Sequence, residues 1–288
     1  MNDIRRGLTA FSLLLGCGAA FLFTTVAADA ADMAPPMYTK AVPIYAKAPP
    51  IPALYDWSGW HVGINGGYSW RDPQIELTPA NASTASTVAR FPGVFPSSVT
   101  VDPKGGLIGG QIGYDRQSGS WVWGIETDLD FADIKSAGAT TGVPLPFAGR
   151  PNDSFTALGS QKLSAFGTLR GRIGVTPTDR VLLYATGGLA YGLTTLNASL
   201  GDARCIDFCA ATSSSNWKAG WTVGAGLEWA LAQNWSVKGE YLFYDLGSVD
   251  RHLVNIVDNG FPGAAFDAHA TFRGHIARIG INYKFSER

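Results

Sequence analysis

The 288-residue sequence predicts an all-β fold, an eight-stranded antiparallel transmembrane β-barrel with four long extracellular loops and three short periplasmic turns. Three observations lead there. Segments of alternating apolar and polar character recur along the chain, their apolar faces carry no charge, and the connections between them alternate long and short.

Ahead of these segments, residues 1–30 read as a cleaved signal peptide. Arg5 and Arg6 precede an apolar run from Leu8 to Val26, and small residues (Ala27, Ala28, Ala30) close it. A retained membrane anchor and lipoprotein processing at Cys17 are the alternatives. Residues 31–54 carry Pro35, Pro36, Pro43, Pro49, Pro50 and Pro52, a density that favours an extended periplasmic linker. The barrel is expected over 55–288. Downstream of residue 30 no stretch of about 18 apolar residues occurs, so there is no candidate transmembrane helix, and a membrane location requires a closed barrel.

The eight segments are 59–70, 106–114, 121–131, 163–175, 181–191, 221–229, 235–243 and 277–285. In the first, Trp60, Val62, Ile64, Gly66, Tyr68 and Trp70 share a face opposite His61, Asn65 and Ser69. The third aligns Trp121, Trp123, Ile125, Leu129 and Phe131 against Glu126, Asp128 and Asp130, and the fourth opposes Leu169, Ile173 and Val175 to Arg170 and Arg172. The fifth is apolar on both faces, with Tyr184 and Thr186 set against Leu183 and Leu189. The sixth and seventh place Glu228, Lys238 and Glu240 opposite tryptophans and valines. The last sets Ile279, Ile281, Tyr283 and Phe285 against Arg278, Asn282 and Lys284.

An uncharged face beside a charged one has two physical solutions: apolar inward, as in a soluble lipocalin-like barrel, or apolar outward into lipid. The connections 115–120, 176–180 and 230–234 are short while those between them are long, an asymmetry of transmembrane barrels, and both termini then fall at the short-turn end. All nine tryptophans lie near predicted strand ends, where an indole suits a membrane interface.

An interior just wide enough for side chains then holds Glu126, Asp128, Asp130, Glu228 and Glu240 with Arg170, Arg172, Lys238, Arg278 and Lys284, five acids and five bases. The expected result is a network of ion pairs filling the lumen. A formal charge of −1 gives no electrostatic case for a nucleic-acid partner.

Outside the barrel, Cys205 and Cys209 are the cysteines left after signal removal, and in an oxidising compartment they predict a small loop disulfide. A metal site is the weaker reading for them. His252, His269 and His275 could gather to hold a metal or haem, but unrelated solvated histidines are favoured, so no metal or cofactor is expected. No Ser–His–acid spacing suggests catalysis. The Ala-, Ser- and Thr-rich stretches 80–87 and 137–146 predict mobile, variable surface loops, where any recognition of an extracellular ligand of unknown identity would reside.

With the strands placed, the chain resembles the small outer-membrane proteins of alphaproteobacteria grouped as a porin family, and more distantly the OmpA-like and opacity-like barrels. The resemblance rests on Tyr55-Asp56-Trp57-Ser58-Gly59-Trp60, on Gly63-Ile64-Asn65-Gly66-Gly67-Tyr68, on Thr186-Gly187-Gly188-Leu189-Ala190-Tyr191-Gly192 and on Arg278-Ile279-Gly280-Ile281-Asn282-Tyr283-Lys284-Phe285. It implies export to the bacterial outer membrane and partners among outer-membrane lipids, lipopolysaccharide and the assembly machinery. Ile279, Ile281, Tyr283 and Phe285 resemble the terminal assembly signal, from which this chain departs by the trailing Ser286-Glu287-Arg288. The resemblance implies a structural or surface-interaction role, with a small solute channel and loop-mediated ligand binding as alternatives.

Overall fold

The computed structural model describes residues 55–71, 75–144, 154–202, 205–206, 208–258 and 260–285. The expected signal peptide and linker lie outside the described residues.

Eleven strands and one helix form among the described residues. They are β1 (Gly59–Arg71), β2 (Ile75–Pro79), α1 (Ala82–Arg90), β3 (Ser98–Val99), β4 (Lys104–Ser118), β5 (Trp121–Thr141), β6 (Phe155–Thr178), β7 (Val181–Asp202), β8 (Phe208–Ala230), β9 (Trp235–His252), β10 (Val254–Asp258) and β11 (Phe266–Lys284). The long strands pair antiparallel in the order β1-β4-β5-β6-β7-β8-β9-β11, and β11 pairs back onto β1 through His61–Lys284 to Arg71–Gly274, so the ladder has no open edge along that stretch. Closure satisfies every strand's hydrogen-bonding groups from its neighbours, which an apolar surrounding demands.

Strand length separates structure from expectation. The sequence segments run about ten residues, enough to cross a bilayer, but β6 has 24 residues and β8 has 23. The ladder therefore continues past the apolar belt at the end away from the tight turns. There β2, β3 and β10 add short pairings, and α1 packs Val88 against the apolar interior while Thr84 Oγ1 accepts from the Ala265 N–H. The expected mobile loops are corrected accordingly. Residues 82–90 form a helix whose cap, Asn81, accepts from the Thr84 N–H at 2.7 Å, and β5 carries strand pairing to Thr141. The connection expected to be long between the fifth and sixth segments shrinks to 203–207. What holds this extension is an apolar interior of Ile75, Phe95, Ile134, Phe155, Phe208 and Phe266 among others, each nearly inaccessible to solvent. Phe155 and Phe95 meet with ring centroids 4.7 Å apart. Burying a phenyl ring contributes about 1.5–3 kcal/mol, and loops poor in such residues could not have ordered themselves.

Around the barrel the large outward side chains are apolar and exposed: Ile64 67%, Phe131 78%, Leu189 61% and Ile279 66%. Charged and amide side chains point inward, an inside-out arrangement for water but the expected one for lipid. Eight tryptophans face outward. Trp57 is the exception to their interfacial placement: it is 3% exposed and stacks edge-on against Tyr55 (4.7 Å) over Val122, Leu182, Tyr184 and Ala230, an apolar stopper at the tight-turn end.

Candidate functional site

The interior between that stopper and the apolar extension is a single polar cluster. The strand pleat puts Glu126, Asp128 and Asp130 of β5, Arg170 and Arg172 of β6, and Lys238 and Glu240 of β9 on the lumen side, because each set alternates with outward apolar residues. Arg170 is the hub. Its guanidinium donates to Glu240 Oε1 (2.7 Å), Glu126 Oε1 (2.7 Å) and Asp128 Oδ2 (3.0 Å), and its Nε donates to Thr168 Oγ1 (2.8 Å). Arg278 donates to Glu240 Oε2 (2.7 Å), Asp128 Oδ2 (2.8 Å) and Asp130 Oδ2 (3.3 Å). Lys238 Nζ donates to both oxygens of Glu126, at 2.7 and 2.8 Å.

A second knot lies toward the tight turns. Arg172 forks onto Asp115, with Nε donating to Oδ1 at 2.7 Å, and reaches Glu228 Oε2 at 3.0 Å. Glu228 also accepts from Ser236 and from Asn282, which accepts in turn from Gln111. His61 joins the two knots, one ring nitrogen 3.2 Å from Asp115 and the other 3.3 Å from Glu126. Bidentate arginine geometry suits this setting, since a planar fork ties two carboxylate oxygens at once in a region where an unpaired charge is costly.

Nine of the ten sequence-predicted lumen residues thus meet. Lys284 does not: it stands at the barrel mouth, contacting the Asp56 carbonyl and the Tyr55 ring face, 4.5 Å from the ring centre. Lys284 keeps inward parity opposite His61, but its ammonium turns to the N-terminal segment at that end of the barrel instead of joining the network. Asp115 is the residue sequence reasoning placed in a turn and so missed. The signal was present, because Leu107, Gln111 and Asp115 keep one parity, and β4 simply runs on to Ser118. With Asp115 the two knots hold six carboxylates against four permanent cations and His61, while a further buried cation, Arg71 of β1, donates to Gln161 nearer the apolar extension.

The other expected sites are dispersed. Cys205 and Cys209 form a disulfide between the ends of β7 and β8. His252 bonds Asp267 (2.8 Å), His269 bonds Asp250, and His275 bonds the Tyr241 hydroxyl (2.6 Å), each histidine with its own partner. Ile279, Ile281, Tyr283 and Phe285 all face outward on or just past β11. Among the described residues no group of three or more His, Cys, Asp or Glu is arranged to hold a metal ion.

Comparison with known proteins agrees with this architecture. Residues 19–285 match the family described as outer membrane protein beta-barrel domain. The 31 kDa outer-membrane immunogenic protein of Brucella melitensis is 34% identical over 95% of this chain and 98% of its own length. The 22 kDa outer membrane protein of Rhizobium leguminosarum is 30% identical over 62% of this chain and 66% of its own. Among solved structures, the outer membrane protein OprG of Pseudomonas aeruginosa aligns with a TM-score of 0.49 at 15% identity, over 81% of this chain and 98% of that one. An apolar exterior, a charged interior, the family match and the Brucella relative lead to one conclusion: the chain belongs to the outer membrane protein beta-barrel family and resides in the bacterial outer membrane.

Proposed function

We propose that this protein is a closed, non-catalytic barrel whose eight long strands span the outer membrane and whose ordered extension presents a surface outside the cell. The observation that carries the reading is the lumen-wide network, in which Lys238 of β9 meets Glu126 of β5 from the opposite side of the ring. Side chains that touch across the full width leave no continuous solute path, and the apolar stopper around Trp57 adds a second block. On this reading the turns at 119–120, 179–180 and 231–234 face the periplasm and the extension built on β5 to β8 faces outward. The relatives' description as immunogenic fits a surface-exposed extension. The outward row Ile279, Ile281, Tyr283 and Phe285 serves as the signal for the assembly machinery, and lipid is the partner of the belt.

Planar-bilayer recording of purified protein tests closure. The expected trace carries no stable conductance; large, long-lived steps in every insertion would replace this reading with a solute channel. Orientation is tested on intact cells by labelling a cysteine placed at Gly119 and one placed at Gly263. Only the second should react with an impermeant reagent.

A further inference from the structure

β4, β5 and β6 each carry one exposed lysine, and the strand registers set them side by side. Lys104 is the cross-strand partner of Lys135, and Lys135 is the partner of Lys162. Directly paired positions hold their Cβ atoms about 4.5–5.5 Å apart, and like charges at that spacing destabilise a sheet. Two aspartates temper the row, Asp102 at 2.6 Å from Lys104 and Asp133 at 2.9 Å from Lys135. Lys162 has no carboxylate within ion-pair distance among the described residues, so the row keeps a net positive charge. Along the same cross-strand line the neighbours are uncharged on one side, Thr195 and Ser215, and aromatic on the other, Trp70 paired with Lys104.

The height of the row matters. On β5 the outward residues run Trp121, Trp123, Ile125, Leu129 and Phe131, then change to Asp133 and Lys135. Ten residue steps from Trp121 to Phe131 span about 33 Å of strand, or about 25 Å along the membrane normal at a tilt of about 40°, the height of a lipid-facing band. Lys135 lies about 10 Å higher on the same measure. That is the headgroup layer, immediately above Phe131, which would meet acyl chains, with Trp70 beside Lys104 in the same row.

We propose that Lys104, Lys135 and Lys162 bind the phosphate groups of a phosphorylated glycolipid of the outer leaflet, with Phe131 against its acyl chains. The proposal rests on the orientation given above, which puts this rim in the outer leaflet. Phosphate oxygens between the ammonium groups turn a repulsive row into a chelating one, while Asp102 and Asp133 hold two of the side chains upright. Three adjacent cations suit a headgroup bearing more than one phosphate better than a single phosphodiester.

The test uses full-length protein in a phosphate-free detergent, to which diphosphorylated lipid A, dephosphorylated lipid A or phosphatidylglycerol is added. Retained lipid is read by native mass spectrometry and the barrel's melting by heat-modifiable gel migration. Wild type should retain diphosphorylated lipid A in preference to the other two and melt higher with it. K104Q/K135Q/K162Q should retain it at least about tenfold more weakly, a loss equal to about 1.4 kcal/mol. Without lipid the triple variant should melt no lower than wild type, since its lysines no longer repel one another. Arg116→Gln at the opposite rim should change nothing. Equal retention of dephosphorylated lipid A or of phosphatidylglycerol, or unchanged retention by the triple variant, would overturn the proposal. Surface labelling at Gly119 in place of Gly263 would instead overturn the orientation on which it rests.

Discussion

Lys238 Nζ lies 2.7 Å from Glu126 Oε1, although β9 and β5 stand four strands apart in a ring of eight. On the closed-barrel reading proposed above, this contact across the full diameter couples stability to closure: the groups that would line a pore are the ones that hold the wall.

Glu126→Gln should therefore be severe. The carboxylate answers Lys238, Arg170 and His61, all buried. Removing one partner of a buried pair costs about 3–5 kcal/mol because the others remain uncompensated. The expected result is a marked fall in the melting temperature of the heat-modifiable form, and the double variant Glu126→Gln/Lys238→Met should recover part of it.

Lys284 and Arg278 sit six residues apart with the same strand parity, yet they should behave differently. Arg278→Met breaks contacts to three carboxylates, at a cost of about 3–5 kcal/mol. Lys284→Met, at the half-exposed mouth, should cost under about 1 kcal/mol. Urea titration of both variants in liposomes reads the contrast; equal losses would place Lys284 back in the network.

Gly226 has the Tyr184 ring against it, so a Cβ there would lie 2.5 Å from ring atoms. Tyr184 cannot retreat easily, since its hydroxyl reaches Glu240 and its ring underlies Arg172. Gly226→Ala should destabilise by about 1–3 kcal/mol through overpacking, measurable by the same titration, with Tyr184→Leu/Gly226→Ala less than additive.

The extension should unfold separately from the belt. Phe155→Ala removes a ring packed against Phe95 and Phe208, a loss of about 3–5 kcal/mol confined to that end. Limited proteolysis should then cut beyond the belt while heat-modifiable migration persists. Loss of both together would show that belt and extension fold as one unit.

Tyr283→Ala/Phe285→Ala removes the outermost aromatics of the final strand, which contact each other at 5.4 Å. Lower outer-membrane yield with unchanged melting of the protein that does assemble would assign them to assembly; lower melting at normal yield would assign them to packing.

The sequence by itself determined which face of each strand meets lipid and which meets the lumen, because a period of two records side-chain direction locally and nothing distant can alter it. It determined the tight turns and the disulfide for the same reason: these depend on neighbours in the chain. Where strands stop was not legible. Parity continues past the belt in β4 far enough to capture Asp115, and in β6 to β8 far enough to build the extension, but outside lipid the exterior no longer has to be apolar and the pattern fades. Partnering was equally hidden. Inward parity placed Lys284 with the charges, and only its height at the mouth sent it to Asp56. Register across eight strands decided that Lys238 meets Glu126, that His61 links Asp115 to Glu126, and that three lysines form a row, because cross-strand neighbours depend on the relative shift of segments far apart in sequence.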